Sequence, residues 1–160
     1  MTTGILETKG TKLYFGVSDS QIEKVACATG ISGLSGAGAQ IDTTCLDSVE
    51  KEFARGMLAP GQLSVPINFI PSSSSHQALT ALKDSGALIS WMIVFSDQTG
   101  APVELDSDGA LVSPGPTSVE FFAYVADFAI DIATDSIVKG TLTLQRSGAP
   151  TWDFPAATQP

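Results

Sequence analysis

SSHQALTALKDSGALISWMIVF, residues 74–95, decides how the rest of the chain is read. Its first half has helical spacing. Ala78, Leu79, Ala81 and Leu82 recur at i, i+3 and i+4, which puts them on one side of a helix over residues 74–85. Ser74 with Gln77 three residues on has the spacing of a capping box, so Ser74 is the expected N-cap. Gly86 is the expected left-handed C-cap. The second half alternates: Ile89, Trp91, Ile93 and Phe95 face one way, Leu88, Ser90, Met92 and Val94 the other. Both faces are apolar, so this strand is expected to be covered on both sides. A single helix in a chain otherwise built of short strands has the job of covering an open face or end of a sheet.

Toward the N-terminus, residues 1–10 read as a flexible arm. Residues 12–17 and 23–31 read as strands, with Leu13, Phe15 and Val17 on one face of the first. Four glycines between Gly30 and Gly38 break the pattern. Residues 36–61 follow as a long charged excursion. A strand begins at Ile41 on one reading. Val49, Phe53 and Met57 at i, i+4 and i+8 suit a helix on another, and Arg55-Gly56 and Pro60-Gly61 suit a loop tip. The reading adopted is a loop that is mobile in the free subunit and orders against a neighbour. Residues 62–69 alternate cleanly, and Pro66 places that strand near an edge or a bulge. Beyond the opening stretch, Asp106-Ser-Asp-Gly109 reads as a hairpin turn. Residues 118–134 and 137–146 read as a long hairpin, with Phe122, Tyr124, Ala126, Phe128, Ile130 and Ile132 sharing one parity. Residues 147–160 read as an extended tail anchored by Trp152 and Phe154. The whole is one mainly β domain with one helix.

Composition limits function. The net charge is −9 and the eight basic residues are scattered, which argues against gripping nucleic acid through its phosphates. No apolar run reaches the ~18–20 residues of a membrane-spanning helix, and Met1-Thr-Thr-Gly4 lacks the basic and apolar regions of a signal peptide. The chain is therefore expected to be cytoplasmic at synthesis. Only 16% of residues are charged, against roughly a quarter in ordinary domains. Coverage of the surface by other subunits explains that deficit, as does a compact domain with a Ser/Thr/Gln surface. Cys27 and Cys45 lack metal spacing and are expected to be free thiols.

The candidate chemical motifs do not assemble into a site. His76, the one histidine, sits in the first helical turn among serines and is expected to be solvated or capping. Ser48-Val-Glu-Lys51 has Ser-x-x-Lys spacing, but the companion Ser-Asp-Asn and Lys-Thr-Gly elements are missing. Glu104, Asp106 and Asp108 begin like a calcium loop, yet the twelfth position is Gly115 instead of glutamate. Asp127 and Asp131 lie about 13 Å apart along a strand, too far for a glycosidase acid pair. No catalytic residue, cofactor site or metal site is expected.

The order of elements and several stretches resemble the major tail tube proteins of long-tailed bacteriophages. Those stretches are Lys9-Gly-Thr-Lys-Leu-Tyr-Phe15, Ile41-Asp-Thr-Thr-Cys-Leu-Asp47, Pro60-Gly-Gln-Leu-Ser-Val65, the helical residues 77–85 and the closing residues 140–152. The resemblance implies a β-sandwich or small barrel flanked by a helix, with no catalytic residues. It implies six subunits per ring, their sheets joined into one inner barrel, and rings stacked into a tube through which DNA passes without specific binding. It also implies a tail tip or initiator complex, a tape-measure protein and a tail terminator as partners, with assembly in the host cytoplasm. On this view Asp47, Glu50, Lys51, Glu52, Phe53 and Arg55 lie on the loop that reaches the adjacent ring. Asp127, Asp131 and Asp135 line the bore, where their charge repels passing DNA. Two alternatives stand beside it: a secretion tube of the type VI kind, and a monomeric ligand-binding β domain whose pocket would use Trp91, Trp152 and Tyr124.

Overall fold

The computed structural model describes residues 5–18, 21–97, 103–112 and 117–155. Among the described residues there are ten strands and one helix, and alternating apolar residues mark the strands of the main sheet. The strands are β1 (Lys12–Ser18), β2 (Gln21–Lys24), β3 (Gly36–Asp42), β4 (Phe53–Pro60) and β5 (Gln62–Asn68), then β6 (Ile89–Val94), β7 (Glu104–Leu105), β8 (Leu111–Val112), β9 (Ser118–Asp131) and β10 (Lys139–Asp153). The helix α1 (Ser74–Ser85) falls between β5 and β6. Six strands form one antiparallel sheet in the order β2-β1-β6-β9-β10-β5.

The sheet curls but does not close into a continuous barrel. After β2 the chain turns at Cys27, whose φ of 51° is left-handed, and then approaches the far edge at β5. Only isolated bridges form there, Ala28 with Ile67 and Ser32 with Ser64. Pro66 explains part of the gap. Its carbonyl accepts from Thr29 N at 2.8 Å. A strand residue's N and C=O point to the same side, so the position without an N–H faces this seam. The strand expected over residues 23–31 is thus a short β2 followed by a seam.

Inside the curl lie Leu13, Phe15, Leu63, Val65, Ile67, Trp91, Ile93, Phe121, Leu142 and Leu144, all buried. Trp91 stacks on Phe15 with centroids 5.0 Å apart and donates its indole N–H to Ala123 O at 3.1 Å. Leu79 and Leu82 of α1 close this core. The helix ends as expected, with Gly86 at φ 63° donating to Leu82 O. It spans the expected residues, but its N-cap is Ser73 instead of Ser74, without a side-chain cap bond. Gln77 donates to Pro71 O, and Ser74 Oγ donates to Glu23 on β2, so the two residues pin neighbouring segments instead of forming a capping box. The expected double coverage of β6 is present. Trp91 and Ile93 face the main core, and Met92 and Val94 pack with Leu111 under the β7–β8 hairpin.

Three further readings are corrected. Along β9 the parity does not hold: Thr143 pairs with Asp127 while Leu144 pairs with Val125, so Ala126 is a bulge. The inward set is Phe121, Ala123 and Val125 before it and Phe128 after it. Residues 36–61 are not irregular, because β3 and β4 pair as an antiparallel ribbon. The residues expected to form a tail continue β10 to Asp153, pairing Thr151–Asp153 with Ser118–Glu120 beyond an irregularity after Ser147. The expected N-terminal arm is described from Ile5 and the tail to Pro155; residues 1–4 and 156–160 lie outside the described residues.

Candidate assembly surfaces

The β3–β4 ribbon is a two-stranded arm with no sheet beneath it. All of β3 and nearly all of β4 are exposed. Six steps along β3 at about 3.4 Å each carry the arm about 20 Å. Its tip is folded by hydrogen bonds of its own: Thr43 N to Glu52 O at 2.9 Å, Glu52 N to Thr44 Oγ1 at 3.0 Å, and Cys45 N to Ser48 Oγ at 3.2 Å. The Thr44 hydroxyl and N–H hold the Asp42 carboxyl below its ordinary pKa. Ile41, Leu46, Val49, Phe53, Met57 and Leu58 are all exposed on the arm. Six large apolar groups on one small projection form a contact surface without a contact.

Asp47, Glu50, Lys51 and Glu52 lie at the tip of the ribbon, between β3 and β4. Phe53 opens β4 opposite Asp42, and Arg55 pairs with Gln40 and lies over Gly38. Ser48 and Lys51 therefore belong to an exposed turn, and Ser48 serves the backbone of Cys45.

The arm's root is held by residues that no motif marked. Arg146 is 5% exposed and donates through Nη2 to Ser35 O. Gln145 Nε2 donates to Pro60 O at 3.3 Å, and Gly61 N to Ser35 O at 3.0 Å. Gly33, at φ 89°, makes the turn into the arm, where a Cβ would strike the Gln62 carbonyl. Among the described residues Arg146 Nε has no partner, and burial lowers the guanidinium's pKa. A signal for Arg146 was present in the sequence: it continues the inward parity of Gly140, Leu142 and Leu144.

A second surface lies at the end of the β9–β10 hairpin. Ile130, Ile132, Ile137 and Val138 are exposed there beside Asp131 and Asp135. Asp135 makes the turn at φ 56°. Asp127 is set apart from them. Its Oδ1 takes Lys83 Nζ of the last turn of α1 at 3.2 Å and the Phe128 N–H at 2.8 Å. A third surface is the stack Phe95–Trp152–Phe154, with centroids 6.2 and 5.4 Å apart.

His76 corrects its expectation. It is buried, donates from Nε2 to Ala26 O at 2.8 Å, and accepts at Nδ1 from Ile70 N at 3.0 Å. It ties the helix start to the segment after β2. Asp106 to Ala110 form the expected turn, with Gly109 N on Asp106 O at 3.0 Å. Among the described residues no group of three or more His, Cys, Asp or Glu side chains could hold a metal ion.

An exposed arm, open sheet edges and unpartnered apolar tips describe a subunit. A sequence profile described as "Phage tail tube, TTP, lambda-like" matches residues 4–156. The chain belongs to the lambda-like phage tail tube family. Its similarity to "Structural protein 3" of Pseudomonas phage PAJU2 is 32% identity over 151 residues, covering 91% of this chain and 92% of that protein. The fold is similar to that of the SPP1 tail tube protein, with TM-score 0.70 at 11% identity, covering 94% of this chain and 80% of that one. It is also similar to the tail of an empty gene transfer agent particle refined with C6 symmetry, with TM-score 0.69 at 14% identity, covering 92% and 98% of the two chains. This tail tube protein is a structural component of the virion.

Proposed function

We propose that this tail tube protein assembles into hexameric rings that stack into a conduit for DNA and that it performs no catalysis. The carrying observation is the arm: Ile41, Leu46, Val49, Phe53, Met57 and Leu58 are exposed on a ribbon that its own chain does not cover. Each large apolar side chain contributes about 1.5–3 kcal/mol when fully buried. Ile41, Phe53 and Leu58 are already half-covered, so the six together give a gross ~7–14 kcal/mol, comparable to the ~4–15 kcal/mol that association costs. One arm is thus marginal, and six arms engaged together are decisive. That arithmetic favours growth from a preformed ring, and so an initiating tail tip, with tape-measure and terminator proteins setting and closing the tube.

In this reading the arm, with Asp47, Glu50, Lys51, Glu52, Phe53 and Arg55, reaches the adjacent ring. The sixfold symmetry of the gene transfer agent tail supports six subunits per ring. The open edge at β2 disappears when neighbouring sheets join, whereas β5 is already bonded at Ser64, Pro66 and Asn68 by the segment after β2. Asp131 and Asp135 face the bore, joined by Asp127, whose charge Lys83 offsets. An acidic wall lets the duplex pass without the counterion release that would hold it. Assembly takes place in the host cytoplasm. End-on views of negatively stained tails, rotationally averaged, should show sixfold rings. Charge reversal of Asp127, Asp131 and Asp135 to lysine should leave tube length unchanged and slow DNA ejection. Rings of another order, or ejection at the wild-type rate, would refute the respective part.

A further inference from the structure

A groove of about 760 Å³ runs between the segment before β1 and the segment after β2. Leu6, Ile31 and Leu34 line it, and Leu13 and Ile93 are at its apolar base. Lys9, Lys12 and Lys24 also line it, with Glu7 the one acidic residue among its walls. Three of the chain's eight basic residues thus meet at one apolar groove, in a protein of net charge −9. The arm tip has the converse character. Asp42, Asp47, Glu50 and Glu52 surround it against Lys51 alone, and Leu46 and Val49 stand fully exposed at its end.

We infer that the arm tip of one copy seats in the lysine-lined groove of a second copy, Leu46 and Val49 on its apolar walls and the tip carboxylates against Lys9, Lys12 and Lys24. The inference rests on the reading of the arm as an intersubunit contact and names the surface that receives it. Arm and groove belong to the same chain, so the contact is heterologous: each copy gives one arm and receives one. Such a contact propagates without limit unless it closes, as a growing tube requires. Opposite charges set the register of docking, and the apolar groups supply most of the attraction.

The two cysteines test this directly, because exposed Cys45 is at the arm tip and exposed Cys27 lines the groove. Tubes are assembled from an equal mixture of Cys27→Ser and Cys45→Ser subunits and treated with a short bismaleimide. The mixture should give a covalent dimer on a denaturing gel, and tubes of either variant alone should not. A chain whose arm folded into its own groove would give no dimer, and that result overturns the inference. Maleimide protection of Cys45 on assembly, without the mixed dimer, overturns the groove while leaving the arm as an interface. A Cys45 equally reactive in tubes and in free subunits overturns both. Charge exchange is the second measurement. Lys12→Glu with Lys24→Glu should raise the critical concentration for assembly about tenfold or more. Adding Glu50→Lys and Glu52→Lys should recover most of the loss, and no recovery would count against the pairing.

Discussion

Arg146→Met separates the arm's attachment from the fold's stability. Arg146 is buried on the core side of β10, and its Nη2 donates to Ser35 O at the arm's root. Losing a bond from a charged donor costs about 1.5–3 kcal/mol. Two offsets act against that loss. The variant no longer buries a cation without a carboxylate, and it removes an Nε that has no partner, together worth about 1–3 kcal/mol. The Ser35 carbonyl stays satisfied, because Gly61 N still donates to it at 3.0 Å. Global stability should therefore change by no more than ~1 kcal/mol, a Tm shift within about 4 °C for a domain of this size. The arm, in contrast, loses the charged one of its three root contacts and keeps Gln145 Nε2 to Pro60 O and Gly61 N to Ser35 O. Hydrogen exchange across residues 36–60, followed by mass spectrometry, should accelerate about tenfold or more, and tube assembly should weaken in step. A Tm lowered by 10 °C or more with arm exchange unchanged would show that Arg146 supports the core, and it would refute the reasoning.

Three other outcomes follow from particular contacts. His76→Leu keeps a large apolar group beside Phe69 but orphans Ile70 N and Ala26 O; at about 1–3 kcal/mol for each orphaned group, urea melts should show a loss of about 2–5 kcal/mol. Deleting Ala126 removes the bulge but leaves Val125 and Phe128 two residues apart on one face of a regular strand, still opposite Leu144 and Leu142, so the purified variant should keep its cooperative melting transition. Thr44 holds Asp42 below its ordinary pKa of 3.8, so the carboxylate supports the arm tip above about that pH and the support is lost as pH falls through the lowered value. The protection factor of the Thr44 amide, taken against its intrinsic exchange rate at each pH, should fall on acidification below the ordinary value of 3.8, and Asp42→Asn should remove that step.

What was legible followed from burial. The helix, Gly86 and the two-sided β6 were readable because each side chain's period reports which face meets the core. Two features were not readable for definite physical reasons. The bulge at Ala126 shifts the period of β9 by one, and both parities of residues 118–134 are apolar enough to suit a strand. The β3–β4 arm has no buried face within its own chain, so alternation has nothing to record, and Gly36-Ala-Gly-Ala39 carries no strand preference. His76 went the other way: its position among serines suggested solvent, while its burial depends on backbone groups at Ala26 and Ile70 that only the tertiary fold brings to it. Arg146 lay on the inward parity of β10, and that pattern was a better guide than its charge. The acidic positions along β9 were visible, but the pairing of Asp127 with Lys83 depends on where α1 packs.

The measurement closest to the central claim is electron microscopy of the assembled protein with and without the arm tip. Residues 43–52 are replaced by an Asn-Gly turn that keeps β3 and β4 paired. The wild type should form tubes of stacked sixfold rings. The shortened variant should fold with an unchanged circular dichroism spectrum and form single rings or free subunits. Tubes of normal length and bore from the shortened variant would contradict the account, because rings would then stack without the arm.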